Sequence, residues 1–230
     1  GTVAADDLVL LQQIFEGQDL QSWNKGDAQA LSITLSFWVN TTKTGTYIVN
    51  LYDNDNSGRQ NSQSYTVSSS DTWEHHSVTF PGDTTGAFDN DNAASLYVYW
   101  GLVCGSNYTS GSLSTTWATA TTANRFVGQV DAFDSTSNNF HITGVQMELG
   151  NTATDFQYES YKENLERCQR YYNKTVVGTA NHYFNAIHNS TYRRTYFSFP
   201  THMRSNTITT AQSGVAGGSG TPSATAISAS

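Results

Sequence analysis

A chain of 230 residues can bury the core of one large β domain, or of a domain with a smaller annex. Charged residues make up only 13% of it and the formal net charge is −8, so it lacks the clustered Lys and Arg that wrapping nucleic acid requires. No apolar run approaches the roughly 18 residues of a membrane span, and no basic-then-apolar start marks a secretory signal. Ser, Thr, Asn and Gly crowd the chain beside Tyr and Phe, a composition that suits uncharged polar outer faces able to bind sugars or other chains. The first residue is not Met and the closing residues are low in complexity, so the sequence is expected to be a piece of a longer chain.

Residues 1–7 read as a linker or arm and residues 8–15 as a first strand, ended by the Glu16-Gly17 turn signal. Trp23 and the Lys25-Gly26-Asp27 turn lead into LSITLSFWV, residues 31–39, around which the rest is expected to be arranged. There Ile33, Leu35, Phe37 and Val39 alternate with Ser32, Thr34, Ser36 and Trp38, the period of a half-buried strand. After Lys43-Thr44-Gly45 comes TYIVNLYD, residues 46–53, and the spacing predicts a hairpin between the two. Residues 53–63 are expected to form a polar loop and residues 64–67 a short strand. WEHHSVTF, residues 73–80, sets Val78 and Phe80 against His75, Ser77 and Thr79, and the Pro81-Gly82-Asp83 turn ends it. In residues 95–103, Leu96, Val98 and Trp100 oppose Tyr97 and Tyr99. A Ser/Thr/Asn-rich loop over 105–124 carries Tyr108 and Trp117, and residues 126–133 and 140–149 supply the last strands. Recurring turn signals without a helical period predict an all-β sandwich.

The pattern then changes. Ser160 and Glu163 have the spacing of a capping box, and Tyr161, Leu165, Cys168 and Tyr172 follow on one helical face. One short helix over 159–173 is expected, its apolar face packed on the sandwich edge. Alternation returns over 183–210, notably TYFSF at 195–199 and NTITT at 206–210, which predicts a smaller β unit before a Gly/Ser/Ala/Thr-rich end. The domain organisation is thus a sandwich over 1–158, a connecting helix over 159–173 and a small β unit over 174–230. Cys104 and Cys168 are too few for a disulfide framework and are expected to be reduced and partly buried, with a single bridge between them as the alternative.

Several segments carry a resemblance. FEGQDLQSW from Phe15, LSFWVNTTKTGTYIVNLYD, TWEHHSVTF and FHITGVQMEL, in that order, resemble jelly-roll carbohydrate-binding modules, in which a closing strand returns beside the first. FPGDTTGAFDNDN, ITGVQMELG, ATDFQYESY and CQRYY are similar to segments of bacteriophage tail-fibre and other virion proteins. The resemblance spans roughly residues 8–173. It implies a jelly-roll sandwich, a non-enzymatic role in a virion fibre or surface appendage, and contact with cell-surface glycan. It also implies a homo-oligomer, a trimer in such fibres, assembled with other virion proteins. A carbohydrate-binding module of a secreted polysaccharide-degrading enzyme is a second reading, and a purely structural capsid or fibre decoration a third. Sugar modules of this kind hold structural calcium through an early acid and an Asp on the closing strand; Glu16 matches the first, but residues 142–145 read Ile-Thr-Gly-Val, so calcium is not carried over there.

Two constellations stand out. DNDNSG, residues 53–58, has the opening of a calcium loop, with Asp53, Asp55 and Ser57 as candidate Ca2+ ligands before a Gly turn. Its twelfth position is Ser64 rather than a bidentate acid, which favours an ordinary polar turn. Trp38, Tyr52, Tyr97 and Tyr99 are expected to share the face opposite the core, with Tyr108 and Trp117 exposed on the long loop. Flat aromatic rings stack on the C–H faces of sugars and equally suit protein interfaces, so packing, subunit contact and glycan binding all stay open for them. His75, His76, His141, His182, His188 and His202 show no metal-ligand spacing, and no nucleophile elbow, phosphate loop or paired catalytic acids are picked out.

Overall fold

The strands form where the apolar alternation is strictest. In the computed structural model the described residues are 2–173, 186–188, 193–195 and 200–204. The chain divides into two compact units, Gly1–Gln157 and Tyr158–Ser230. In the first, β1 (Leu8–Glu16), β2 (Ile33–Thr41), β3 (Gly45–Asp53), β4 (Arg59–Val67), β5 (Glu74–Phe80), β6 (Ala94–Cys104), β7 (Ala118–Thr119) and β8 (Phe140–Leu149) make two antiparallel sheets. One has the order β1-β6-β3-β4-β7 and the other β5-β2-β8. This is an all-β sandwich, as the alternation predicts. A single helical turn, α1 (Ser106–Thr109), follows β6.

β2 is the centre of the smaller sheet, flanked by β5 and β8. Ile33, Leu35, Phe37 and Val39 point between the sheets, and Phe37 is 0% exposed. Its ring meets Tyr65 and Trp100 of the opposite sheet edge-on, at centroid distances of 5.0 and 5.8 Å. Tyr47, Val49 and Leu51 from β3 and Leu96, Val98 and Trp100 from β6 complete the far side of the core. Aromatic pairs at such distances favour T-shaped contacts, because the positive ring edge meets the negative face.

Four sequence expectations need correction. β2 and β3 are not a hairpin. Both edges of β2 are already paired, so the chain crosses at residues 42–44 to the other sheet, where the Tyr47 hydroxyl donates to Lys43 O (2.8 Å) and Lys43 pairs with Asp134. Residues 59–63 belong to β4 rather than to a polar loop, and Gln60 and Ser62 are buried under another segment. Residues 126–133 are not a strand; they pass from Phe126 on the outer face of the larger sheet to Ala132 in the core, with Val130 N–H donating to Thr46 O (2.9 Å) and Ala132 N–H to Leu102 O (2.9 Å). Gly101 admits this covering segment, since a Cβ there would sit 2.8 Å from the Phe126 ring. Finally, the closing strand β8 pairs with β2, while β1 pairs with β6, so it does not return beside the first strand.

In the second unit, α2 (Tyr161–Tyr171) starts at the expected capping box: Glu163 N–H donates to Ser160 Oγ (3.3 Å), and Ser160 N–H donates to Glu163 Oε2 (3.2 Å). The expected burial of its apolar face is not seen, because Tyr161, Leu165, Cys168 and Tyr172 are all exposed. β9 (Ala186–His188) and β10 (Arg193–Thr195) pair antiparallel, whereas the rest of TYFSF and all of NTITT lie outside the described residues. Cys104 is half-buried as expected, and burial pushes its thiol up to about 12. Among the described residues no helix is long and apolar enough to cross a membrane.

Truncating Phe37 removes the ring on which both sheets close. Phe37→Ala is expected to lower unfolding free energy by about 3–5 kcal/mol in urea titration. A loss under about 1 kcal/mol would show that the core does not depend on β2.

Candidate functional site

Three of the predicted aromatics meet on the outward face of the larger sheet. Tyr52 on β3 stands opposite Tyr97 on β6, and Tyr99 lies two residues along the same strand face. Tyr97 and Tyr99 are stacked, with centroids 5.7 Å apart and planes 12° from parallel, while Tyr52 meets Tyr97 edge-on at 6.1 Å. On the β1 side the neighbours are Gln12, opposite Tyr99, and Ile14, opposite Tyr97. Sheet pairing thus gathers aromatic rings, hydroxyls and an exposed amide from three adjacent strands.

Arg125 is the member that sequence reading missed. It follows a short 3-10 turn (Thr122–Asn124), and its guanidinium lies 4.7 Å from the Tyr99 ring centroid and 5.9 Å from that of Tyr52. Its Nε donates to Asn50 Oδ1 (3.3 Å), whose amide donates in turn to Ser62 Oγ (2.9 Å). The guanidinium is therefore fixed by a buried polar chain, and attraction to the ring quadrupole holds it over the tyrosines. Burial raises the Tyr99 hydroxyl pKa above the ordinary range, against the opposing pull of Arg125. Tyr99 therefore stays a neutral hydroxyl that donates and accepts.

The other predicted residues sit elsewhere. Trp38 is on the outward face of the smaller sheet, so it does not join the tyrosines; the phase along β2 was right, but β2 and β3 belong to different sheets. It is 42% exposed, its ring 5.1 Å from that of His75, and it is close to Gly144. Tyr108 is half-buried on α1, and its carbonyl accepts from Phe126 N–H. Trp117 is half-buried rather than freely exposed: its indole N–H donates to Pro81 O (2.7 Å), and its ring covers the Lys25 ammonium at 5.6 Å.

That ammonium replaces the calcium reading. Lys25 Nζ is surrounded by Asp53 Oδ2 (2.6 Å), Asp83 Oδ2 (3.2 Å), Thr85 O (3.0 Å) and Gly86 O (2.6 Å), and its side chain is only 3% exposed. Asp53 also accepts from Asp55 N–H and from the Asn56 amide, Asp55 accepts from Asp89 N–H, and Ser57 is a turn residue at φ +57°. Both Asp53 oxygens and one Asp55 oxygen are engaged by the protein's own donors. Among the described residues no three His, Cys, Asp or Glu side chains are grouped to hold a metal. Arg59 clamps the same Asp83 with two bonds (2.6 and 2.8 Å). Burial would raise Asp83, but Arg59 and Lys25 outweigh it and hold the carboxyl below its usual range.

Comparisons with protein-family models, with curated proteins and with solved structures give no match to this chain. The class defined by the fold is an antiparallel β-sandwich.

Removing the buried cation strands Asp53 and leaves Asp83 to Arg59 alone. Lys25→Met is expected to cost about 3–5 kcal/mol, read by urea or thermal unfolding. Asp83 has its folded pKa below the unfolded one, so its contribution is complete above about pH 5 and is lost as pH falls below about 4. Unfolding free energy should drop across that window, and Asp83→Asn should flatten the drop. An equal slope in the variant would show that other carboxyls govern acid unfolding.

Proposed function

We propose that this chain is a non-enzymatic surface-appendage protein of a bacterial virus, and that its sandwich contacts host-surface glycan through the face formed by Tyr52, Tyr97 and Tyr99. The observation that carries the reading is the convergence of three tyrosines from two paired strands, beside Arg125, Asn50 and Gln12. Aromatic rings offer apolar surface to the C–H faces of a pyranose, while guanidinium, amide and phenol groups match its hydroxyls. The segment resemblance to virion proteins supports a contact on the particle's exterior, in an assembly of identical chains with other virion proteins.

A second reading is favoured by Arg125, whose guanidinium lies over Tyr99 and leaves less ring face for a sugar. In that reading the tyrosine face meets another protein subunit and the role is structural. Aromatic and arginine side chains are enriched in such interfaces.

Glycan arrays followed by calorimetry on soluble host polysaccharide separate the two. Retention of at least one glycan is expected, with Tyr97→Ala and Tyr99→Ala each weakening it by about tenfold or more, ~1.4 kcal/mol, at unchanged melting temperature. An array silent across bacterial surface polysaccharides rejects glycan attachment at this face.

A further inference from the structure

β8 has one edge paired with β2, and among the described residues no strand pairs with the other. A free edge presents a row of backbone donors and acceptors, and monomeric proteins blunt it with Lys, Pro, a bulge or a covering segment. β8, FHITGVQMEL, has neither Lys nor Pro, and its bulge at Gly144-Val145 sits at mid-strand. Val145 and Leu149 on it are 41% and 40% exposed. The larger sheet reaches past this edge: β5 packs against β4, so β8 lies toward β6 and β1. Leu11 of β1, on the core-facing side opposite Trp100, remains exposed there. An apolar strip thus runs along one side of the sandwich beside an unpaired strand.

We propose that this edge is completed by β8 of a second copy of the chain, in antiparallel two-fold pairing centred between Gly144 and Val145. The strand reads as a mirror about that point. Phe140 would face Leu149 and Ile142 would face Met147, apolar against apolar. On the other face His141 would meet Glu148 and Thr143 would meet Gln146, an imidazole against a carboxylate and a hydroxyl against an amide.

In a regular strand this mirror fails, because residues 142 and 147 differ in parity and would point to opposite faces. The bulge removes the conflict. Ser36 pairs with Gln146 and Trp38 with Thr143, so Gly144 and Val145 together stand opposite Phe37. Gly144 takes φ +58°, which suits glycine at such a position. The extra residue restores the phase, and Phe140, Ile142 and Met147 all pack on the core although they lie on both sides of it. Side-chain faces and backbone hydrogen-bond directions then agree between the two copies along the whole strand. The partner strand would also lie across Leu11. The pairing is two-fold, so it gives a dimer in place of the trimer that the fibre resemblance implies, and it does not depend on glycan binding.

Size-exclusion chromatography with light scattering on the full chain tests this. The expected mass at micromolar concentration is twice the 25.2 kDa chain. Val145→Lys, at an exposed site, should weaken association by at least about tenfold while circular dichroism and melting stay unchanged. His141→Glu and Glu148→Lys should each give monomers, and mixing the two should restore a dimer, because each copy then meets its opposite charge. A monomeric wild type, a trimer, a dimer indifferent to Val145→Lys, or a mixture that stays monomeric would overturn the pairing.

Discussion

A lysine ammonium held by four oxygens ties together stretches of chain that are far apart in sequence. Lys25 follows the first short helical turns, Asp53 ends β3, and Asp83, Thr85 and Gly86 lie in the connection between β5 and β6. A buried cation without partners would cost several kcal/mol, so these segments must converge wherever Lys25 is buried. The rings of Phe88 and Trp117 close over it and keep water away. Arg59 reaches the same Asp83 from the start of β4, so the β3–β4 turn is anchored on both sides. Gly86 takes φ +70° with the Asn56 side chain where its Cβ would be, which is why glycine is needed there.

From that end of the sandwich the effects pass along the larger sheet. With the β3–β4 turn fixed, β4 presents Gln60 and Ser62 outward, where they meet the segment over 111–125. The Gln60 amide donates to Ser114 Oγ and Thr121 O, and the Ser62 hydroxyl donates to Arg125 O. Those bonds hold Arg125 above Tyr99. The geometry of the tyrosine face is thus set by buried polar contacts on β4 rather than by the tyrosines alone. Low local dielectric makes such a chain strong when satisfied and costly when broken.

Strands with one apolar face were legible. β2 and β6 follow from alternation alone, and so does the outward placement of Trp38, Tyr97 and Tyr99. The start of β4 was hidden because Gln60 and Ser62 are polar and yet fully buried; alternation with Asn61, Gln63, Tyr65 and Val67 was the available signal. The false β2–β3 hairpin has a different cause. A Gly-bearing turn reports a local reversal, whereas sheet membership depends on β5 and β8 occupying both edges of β2. The Lys25-Gly26-Asp27 stretch reads as a turn, and nothing local says that its lysine is buried among distant carboxylates. Arg125 was equally invisible, since the bonds that hold it come from residues about sixty and seventy-five positions away.

The two outward faces and the free edge carry different constraints. On the smaller sheet Thr34 and Ser36 are buried although they point away from the core, because residues 150–157 fold back across them: Thr34 Oγ1 donates to Gly150 O, and Gln157 N–H donates to the Gln146 side chain. That strap covers the face of β8, and among the described residues no strand pairs with its far edge. On the larger sheet the covering segment reaches the tyrosine cluster only through Arg125, and Tyr52, Tyr97 and Tyr99 keep partial exposure. Edge and tyrosine face lie on different sheets, so a strand can add to one while a ligand meets the other. Chain association and surface recognition in this sandwich are therefore separable by substitution, because no side chain of β8 belongs to the cluster around Arg125.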